Sequence, residues 1–305
     1  MKRTFWNAGG TVLLALLYIA SGRAQMTQPQ APASASTPQA PAQAPPPSNG
    51  PSGQLPSGQA PSSGQPAAQV SQPVNKQEET DYKAFFDAQG TPAQQIKLGE
   101  AFVQKYPSSR YLSSVYSRLA LDYLGSGDSS EGAKIVPTAQ KAVDLDPDNV
   151  DALSLIVWAT GRTVNPSDPG ALDTFAKIEN YGHHAIALLA TLVKPAELDD
   201  ARFAAAKNDD LSMCHSGLGI IDFKLGQDND SVAELTQAVQ LADSADPVDY
   251  FVLGHADENV GHFADAVSAF TKCSDTGPMV DRCKAGLADA NAKALTAPPP
   301  AQPKP

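Results

Sequence analysis

Residues 247–278 (PVDYFVLGHADENVGHFADAVSAFTKCSDTGP) constrain the fold most, because they have the pattern of two helices joined by a turn. Gly261 interrupts the pattern and Pro278 ends it. Large apolar residues three and four positions apart give each helix one apolar face. Such a hairpin cannot bury those faces alone, so it needs neighbouring hairpins stacked against it. The apolar and small positions that define the two helices are Tyr250, Leu253, Gly254, Ala256, Ala266, Phe270 and Cys273.

This stretch resembles one tetratricopeptide repeat, whose pattern is an aromatic residue, a Leu-Gly pair, a second aromatic residue, Ala, Phe and a closing Pro over ~34 residues. Asp257 departs from the pattern, since it stands where the second aromatic residue belongs. The turn glycines Gly226 and Gly261 are 35 positions apart, close to one repeat length. The resemblance implies an all-α, right-handed superhelical solenoid of about five helix–turn–helix (TPR-like) hairpins plus a C-terminal capping helix.

The resemblance covers residues 77–296 and is clearer in hairpins two, four and five than in hairpins one and three. In hairpin two, Pro137 lies inside the second helix, so a kink or a late helix start is expected there. A long helix is predicted from Leu172 to Val193 in hairpin three. A short separate helix from Glu197 to Lys207 is expected to connect it to hairpin four, and a last helix from Met279 to Leu295 to cover hairpin five.

The first 24 residues resemble a secretory signal peptide. Lys2 and Arg3 precede an apolar run at residues 11–20, which is too short to span a bilayer comfortably, and small residues lie just before the expected cleavage point. An uncleaved signal anchor is the alternative. We therefore expect an exported protein, in the periplasm or outside the cell, with no membrane-spanning segment after cleavage.

Two further segments differ in composition from the repeats. Residues 25–76 are rich in Pro, Gln, Ala and Ser, which predicts a disordered linker, because such a segment lacks the apolar side chains that offset chain entropy. Residues 297–305 predict a disordered Pro-rich tail for the same reason. The foldable part of the chain is therefore one helical domain at residues 77–296.

Charge and motifs exclude several function classes. The formal net charge is -11, and an acidic solenoid repels phosphate backbones, so a nucleic-acid partner is not expected. His183 and His184 are adjacent and diverge by about 100° on a helix, and the other histidines are scattered, so no metal site is predicted. The sequence contains no recognisable catalytic motif, so it predicts no catalytic residue, no cofactor and no enzyme activity. A hydrolase with a diffuse active site remains an alternative.

The cysteines fit an exported protein. Cys273 ends the second helix of hairpin five and Cys283 begins the capping helix, so the two Cα atoms are expected within disulfide distance. Disulfides persist in oxidising compartments. We predict a Cys273–Cys283 disulfide, with two small buried thiols as the alternative, and expect the remaining Cys214 to be buried.

A partner site is predicted on the first helices of the hairpins, which line the concave side of such a stack. Positions outside the core pattern there are mostly apolar or aromatic, which suits an apolar or amphipathic peptide or helix of a protein partner. The alternative is that the aromatic residues among them belong to the core. The predicted groove residues are Leu121, Trp158, Ile220, Phe223, Phe251, His255 and Glu258.

These features predict a non-catalytic protein–protein interaction scaffold of the cell envelope. An accessory factor in cell division or in outer-membrane assembly is the alternative, since similar arrays occur in such proteins. The identity of the partner and the oligomeric state stay open.

Overall fold

The regular structure of the protein is helical. The structure, a computed structural model, describes residues 75–296 apart from Gln89, Glu197, Thr276 and Pro278. The predicted signal peptide (1–24), nearly all of the predicted linker (25–76) and the predicted tail (297–305) lie outside the described residues. Within them, eleven α-helices and one 3₁₀ turn at Gly132–Lys134 make up the regular structure, which confirms the all-α prediction. The helices are α1 (Lys76–Asp87), α2 (Pro92–Lys105), α3 (Leu112–Gly125), α4 (Ile135–Leu145), α5 (Val150–Thr163), α6 (Ala171–Thr191), α7 (Asp200–Leu225), α8 (Asp228–Leu241), α9 (Pro247–Val260), α10 (Phe263–Cys273) and α11 (Val280–Thr296).

The helices pack in the order of the sequence. Each helix from α1 to α10 contacts the next one, and first helices of successive hairpins also meet, at α3–α5, α5–α7, α7–α9 and α9–α11. The five hairpins are therefore α1–α2, α3–α4, α5–α6, α7–α8 and α9–α10, with α11 as the cap. This arrangement confirms the predicted repeat array, whereas its handedness stays a prediction.

Hairpins four and five repeat the same local geometry 35 residues apart. Gly226 and Gly261 end α7 and α9 at φ angles of 76° and 84°, a left-handed conformation that glycine adopts without steric cost. In both turns the residue after the glycine donates its N–H to the carbonyl five positions earlier, at 2.8 Å. This hydrogen bond satisfies a carbonyl in the last turn of each helix, and the turn sets the direction in which α8 and α10 begin.

Helix α7 corrects one expectation. The separate helix predicted from Glu197 to Lys207 is wrong, because Asp200–Leu225 forms one helix of 26 residues. The Asp199 side chain accepts a hydrogen bond from the Arg202 N–H at 2.9 Å and caps the helix start. No proline interrupts α7, and its first turns pack against the preceding loop, where Phe203 lies against buried Leu198.

Helix α4 starts late, as expected from Pro137. A 3₁₀ turn precedes it, and α4 begins at Ile135, so Pro137 falls in the first turn. A proline there loses no helical hydrogen bond, because N–H groups of the first turn have no partner within the helix.

The end of the array is closed by a disulfide. Cys273, the last residue of α10, is bonded to Cys283 in the first turn of α11, with Cα atoms 5.8 Å apart. Both residues are buried in an apolar cluster with Phe270 and Ala290. The bond therefore fixes the cap helix on hairpin five from inside the core.

Candidate protein-interaction face

The predicted groove residues lie on four neighbouring first helices. We call α3, α5, α7 and α9 the first-helix layer, since each contacts the next. Leu121 lies on α3 and Trp158 on α5, while Ile220 and Phe223 lie on α7. Phe251, His255 and Glu258 lie on α9.

The structure separates these residues into two groups. Leu121 and Trp158 are half-buried against the cluster that runs from α3 to α7. Phe223 and Phe251 are half-buried against a different cluster, which includes buried Ile220. All of them pack against the core on one side, and the groove stays a prediction for the half-buried residues.

The remaining two residues form a contact of their own at α9. His255 Nδ1 lies 3.2 Å from Glu258 Oε2, and the His255 ring meets the Phe270 ring edge-on at 4.9 Å between centroids. Glu258 Oε1 lies 3.4 Å from Lys293 Nζ on the cap helix. Glu258 and Ile220 are only 8% and 3% exposed, so they have little surface to offer a partner.

An arginine absent from the predicted set organises the layer around Trp158. The Arg162 guanidinium lies over the Trp158 ring, 4.2 Å from its centroid, in a cation–π contact. Its Nη2 donates to Asp249 Oδ1 at 2.7 Å and to Asp246 Oδ2 at 3.1 Å. Arg162 therefore connects α5 of hairpin three to the start of α9 in hairpin five.

Helix α7 contributes two further groups to this connection. Ser216 Oγ donates to Asp249 Oδ1 at 2.7 Å. Lys224 Nζ donates to the Gly161 and Val164 carbonyls at 2.7 and 2.6 Å, which satisfies the C-terminal end of α5. Burial, followed by the nearby Arg162 charge, lowers the pKa of Lys224. We call Arg162, Ser216, Lys224, Asp246 and Asp249 the Arg162 network.

Asp249 is the most enclosed acid of that network. Burial raises the pKa of its carboxyl to about 6, although Arg162 and Ser216 act in the opposite direction. The hydrogen bonds from both partners hold it in place, and loss of either would leave a buried carboxylate underpaired.

Glycines bring α5 and α7 into backbone contact beside the network. A Cβ on Gly161 would lie 2.6 Å from the Gly217 carbonyl oxygen, and a Cβ on Gly217 would collide with the Val157 carbonyl. Real Cβ atoms do not approach backbone this closely. The crossing therefore requires glycine at both positions and carries Trp158 and Arg162 close to α7.

A pair of acids lies buried at the same α5–α7 contact. Asp151 and Asp210 are 4% and 1% exposed, and Asp151 Oδ1 and both Asp210 oxygens have no hydrogen-bond partner among the described residues. Burial raises the pKa of Asp151 to about 7, although the Arg118 charge from α3 lowers it. Burial first, then repulsion from Asp151, raises the pKa of Asp210 strongly. We call these two residues the buried carboxyl pair.

The free cysteine is also enclosed there. Cys214 is fully buried, and its thiol donates to Ser154 Oγ at 3.3 Å. Burial raises the pKa of the thiol to about 12, so it stays protonated near neutral pH. A buried thiol in this state is a poor nucleophile and a poor metal ligand.

Sequence reasoning missed Arg162, Lys224 and the buried carboxyl pair as parts of this face. A usable signal was present, because each of these charged residues interrupts an apolar first helix. It could not identify the partners, since Arg162 and Asp249 are 87 positions apart.

Among the described residues, no helix combines the length and apolar character needed to cross a membrane.

Comparisons with known proteins find similarity only at the level of structure. No protein-family model and no curated protein matches the chain. A thermophilic TPR protein of Thermus thermophilus, TTC0263, matches 70% of this chain and 99% of its own at a TM-score of 0.42 and 16% identity. MamA from residue 41 to its end, from Desulfovibrio magneticus RS-1, matches 68% of this chain and 97% of its own at 0.38 and 15%. A MamA RS-1 ArsTM double mutant matches 69% of this chain and 97% of its own, at a TM-score of 0.38 and 15% sequence identity. At these scores the likenesses carry no argument about function.

Proposed function

We propose that the protein is an exported, non-catalytic scaffold whose first-helix layer binds an apolar or amphipathic peptide or helix of another protein. The observation that carries the proposal is the presence of half-buried aromatic residues on successive first helices, at Trp158, Phe223 and Phe251. Each has one side packed on the core and another side partly accessible. Partly accessible aromatic side chains on neighbouring helices suit the binding of a helical or extended peptide.

A non-catalytic role is supported by the position of the reactive groups. Cys214, Asp151 and Asp210 are all at least 96% buried, so a substrate has no access to them in the folded array. The more accessible groups of the Arg162 network are held in ion pairs between α5 and the start of α9 and in hydrogen bonds from α7. Their arrangement suits the maintenance of a rigid binding face rather than proton transfer.

Export to an oxidising compartment is supported by the cysteines together with the signal-like residues 1–24. The structure contains the Cys273–Cys283 disulfide, and bonds of this kind persist outside the reducing cytosol. Cys214 is fully enclosed and is therefore protected from incorrect pairing. Cell fractionation with free-thiol counting tests this part: an exported chain should have one reactive thiol after unfolding, whereas a cytosolic chain with three would contradict it.

The binding proposal is tested by site-specific photo-crosslinking in the native cells. A photoreactive phenylalanine analogue replaces Phe251 in one variant and Phe223 in another, and the matched control carries it at Leu172. Leu172 is 66% exposed and lies on α6, a second helix outside the first-helix layer. Circular dichroism of each purified variant checks that the helices remain intact.

The proposal expects the same partner protein to be crosslinked from positions 223 and 251 and not from position 172. Crosslinking from position 172 alone, or no crosslink from any position in folded protein, would overturn it. A hydrolase assay on the purified chain is the companion measurement, and turnover that co-purifies with the chain through every step would contradict the non-catalytic role.

A further inference from the structure

The turn between α9 and α10 gathers three side chains that can bind a metal ion. Asp257 lies in the last turn of α9, His262 directly precedes α10, and Asp265 lies in the first turn of α10. One ligand atom from each of the three lies within 4.8 Å of those from the other two. Asp257 is the residue that departs from the repeat pattern.

Asp257 is a buried acid whose partner is an exposed histidine. Asp257 is 3% exposed. The nearest group is His262 Nδ1, 3.6 Å from Asp257 Oδ1, which is too long for a good hydrogen bond. Burial, then repulsion from Asp265, raises the pKa of Asp257 to about 6, while His262 lowers it. A buried acid therefore lies between a second acid and an exposed histidine, and a bound cation would offset the repulsion between the two acids.

The separation of Asp257 and His262 is the separation expected of two ligands on one ion. Atoms bound tetrahedrally to Zn²⁺ at about 2.0–2.2 Å lie about 3.3–3.6 Å from each other. The Oδ1–Nδ1 distance of 3.6 Å already meets this spacing. Asp265 and His262 are exposed, so side-chain rotation can bring the third ligand into place without moving the helices.

We propose that Asp257, His262 and Asp265 form a binding site for a divalent transition-metal ion of the Zn²⁺ class. Imidazole nitrogen is a ligand that Zn²⁺, Ni²⁺, Cu²⁺ and Fe²⁺ accept well, whereas Mg²⁺ and Ca²⁺ prefer sites made of oxygen atoms alone. Three protein ligands leave one tetrahedral position for water. The bound ion would cancel the repulsion between the two acids and connect the end of α9 to the start of α10.

Hairpin four supplies an internal comparison. The positions 35 residues earlier are Asp222, Gln227 and Asp230, so both acids recur but the histidine does not. The backbone of the two turns is the same in its glycine conformation and its closing hydrogen bonds. The imidazole is therefore the difference that makes hairpin five a metal site, and H262Q converts its ligand set into that of hairpin four.

The test uses the full chain without affinity-tag histidines. Co²⁺ is titrated into the protein while visible absorption is recorded, because Co²⁺ in a tetrahedral protein site absorbs far more strongly than the hydrated ion. Thermal unfolding is then measured with increasing Zn²⁺ and, separately, with Mg²⁺. The variants are H262Q and D265N, both at exposed positions that contribute no side chain to the core, and the matched control is H184Q. His184 is an exposed histidine on α6 whose Nε2 lies 2.8 Å from Asp148 Oδ1.

The proposal expects one equivalent of Co²⁺ with tetrahedral absorption, and a midpoint of unfolding that rises with Zn²⁺ but not with Mg²⁺, by mass action. H262Q should weaken Zn²⁺ binding beyond the roughly 10–100-fold loss caused by removing an outer supporting residue, and D265N should weaken it as well. H184Q should behave as the original chain. Unchanged binding in H262Q, or no binding by the original chain, would overturn the proposal and leave His262 and Asp257 as an ion pair only.

Discussion

At the scale of single residues, the first-helix layer is unusual for its buried acids. Asp122, Asp151, Asp210 and Asp249 are all at most 4% exposed. Arg118 Nε donates to Asp122 at 2.9 Å and Arg162 serves Asp249, but the buried carboxyl pair has no direct donor for three of its oxygens among the described residues. A proton shared between the two carboxyls would satisfy part of this deficit. The folded protein is therefore expected to be more stable when at least one carboxyl of the pair is protonated.

Asp210→Asn should stabilise the protein at neutral pH. Burial raises the folded pKa values of both Asp151 and Asp210 above their unfolded values near 4. Stability from the protonated pair is thus fully present below about pH 4 and is lost as pH rises through the folded values. The amide N–H of an Asn at position 210 would donate to the Asp151 carboxylate, so neither side chain would need to be protonated at pH 8. Urea unfolding at pH 8 should show a free energy of unfolding about 1–3 kcal/mol higher than in the original chain, and stability should depend less on pH.

The control for this experiment is Asp173→Asn, which removes an exposed carboxyl on α6. It should leave the difference in stability between pH 5 and pH 8 unchanged. A loss of stability at pH 8 in Asp210→Asn would show that the Asp210 carboxylate is charged and stabilising in the fold.

At the scale of helices, the α5–α7 crossing depends on the absence of two side chains. Because the backbones of α5 and α7 are in contact at Gly161 and Gly217, Trp158 and Arg162 on α5 lie close to α7. The contact also places the Lys224 amine on the last carbonyls of α5. Helix–helix distance is thus the property that assembles the Arg162 network.

Gly217→Ala should destabilise the array by about 3 kcal/mol, the upper end of the usual cost of overpacking. The added methyl group meets backbone atoms of Val157, which cannot move independently of α5. The matched control is Gly125→Ala in the last turn of α3, where a Cβ meets nothing within 4 Å. That change should be neutral or raise stability by up to about 1 kcal/mol. Chemical denaturation measures both, and equal effects would contradict the close crossing.

The disulfide acts at the same scale, between α10 and α11. Reduction should lower the free energy of unfolding by about 2–3 kcal/mol, because the reduced unfolded chain regains the freedom of the closed loop. The measurement is thermal unfolding with and without reductant. In the Cys273→Ala/Cys283→Ala double variant the reductant should have no effect, and a shift of equal size there would assign the change to something other than this bond.

At the scale of the whole array, stability is expected to be a sum of hairpins and of contacts between neighbours. The Arg162 network departs from this rule, because its ion pairs connect hairpin three directly to hairpin five. Unfolding of hairpin five should therefore be coupled to the integrity of α5.

Arg162→Ala should cost about 3–5 kcal/mol, since it leaves Asp249 buried with Ser216 as its remaining partner. Hydrogen exchange should show faster opening of α9 and α10, along with α5. The control is Arg110→Ala, which breaks an exposed pair with Glu79 and should cost about 0–1 kcal/mol. Local loosening confined to α5 in Arg162→Ala would contradict coupling between the hairpins.

The helices and their pairing into hairpins follow from local signals in the amino-acid sequence. Helix periodicity, turn glycines such as Gly226 and Gly261, and the proline in the first turn of α4 are local signals, and local backbone preference follows directly from residue type. The capping helix and the position of the two cysteines at facing helix ends were likewise predictable. The prediction of a separate helix at Glu197–Lys207 is wrong, because no residue near Lys207 ends the helix that runs on to Leu225.

Which side chains meet depends on how the helices pack in three dimensions. Arg162 with Asp249, Asp151 with Asp210, and the division of the predicted groove residues between two core clusters depend on the distance and angle between helices. Helical periodicity indicates the face of the helix on which a residue lies but not how deeply the side chain is buried. The burial of Ile220 and Glu258 was therefore not predictable. The same holds for Asp257, whose burial beside His262 results from the way α9 and α10 close on each other.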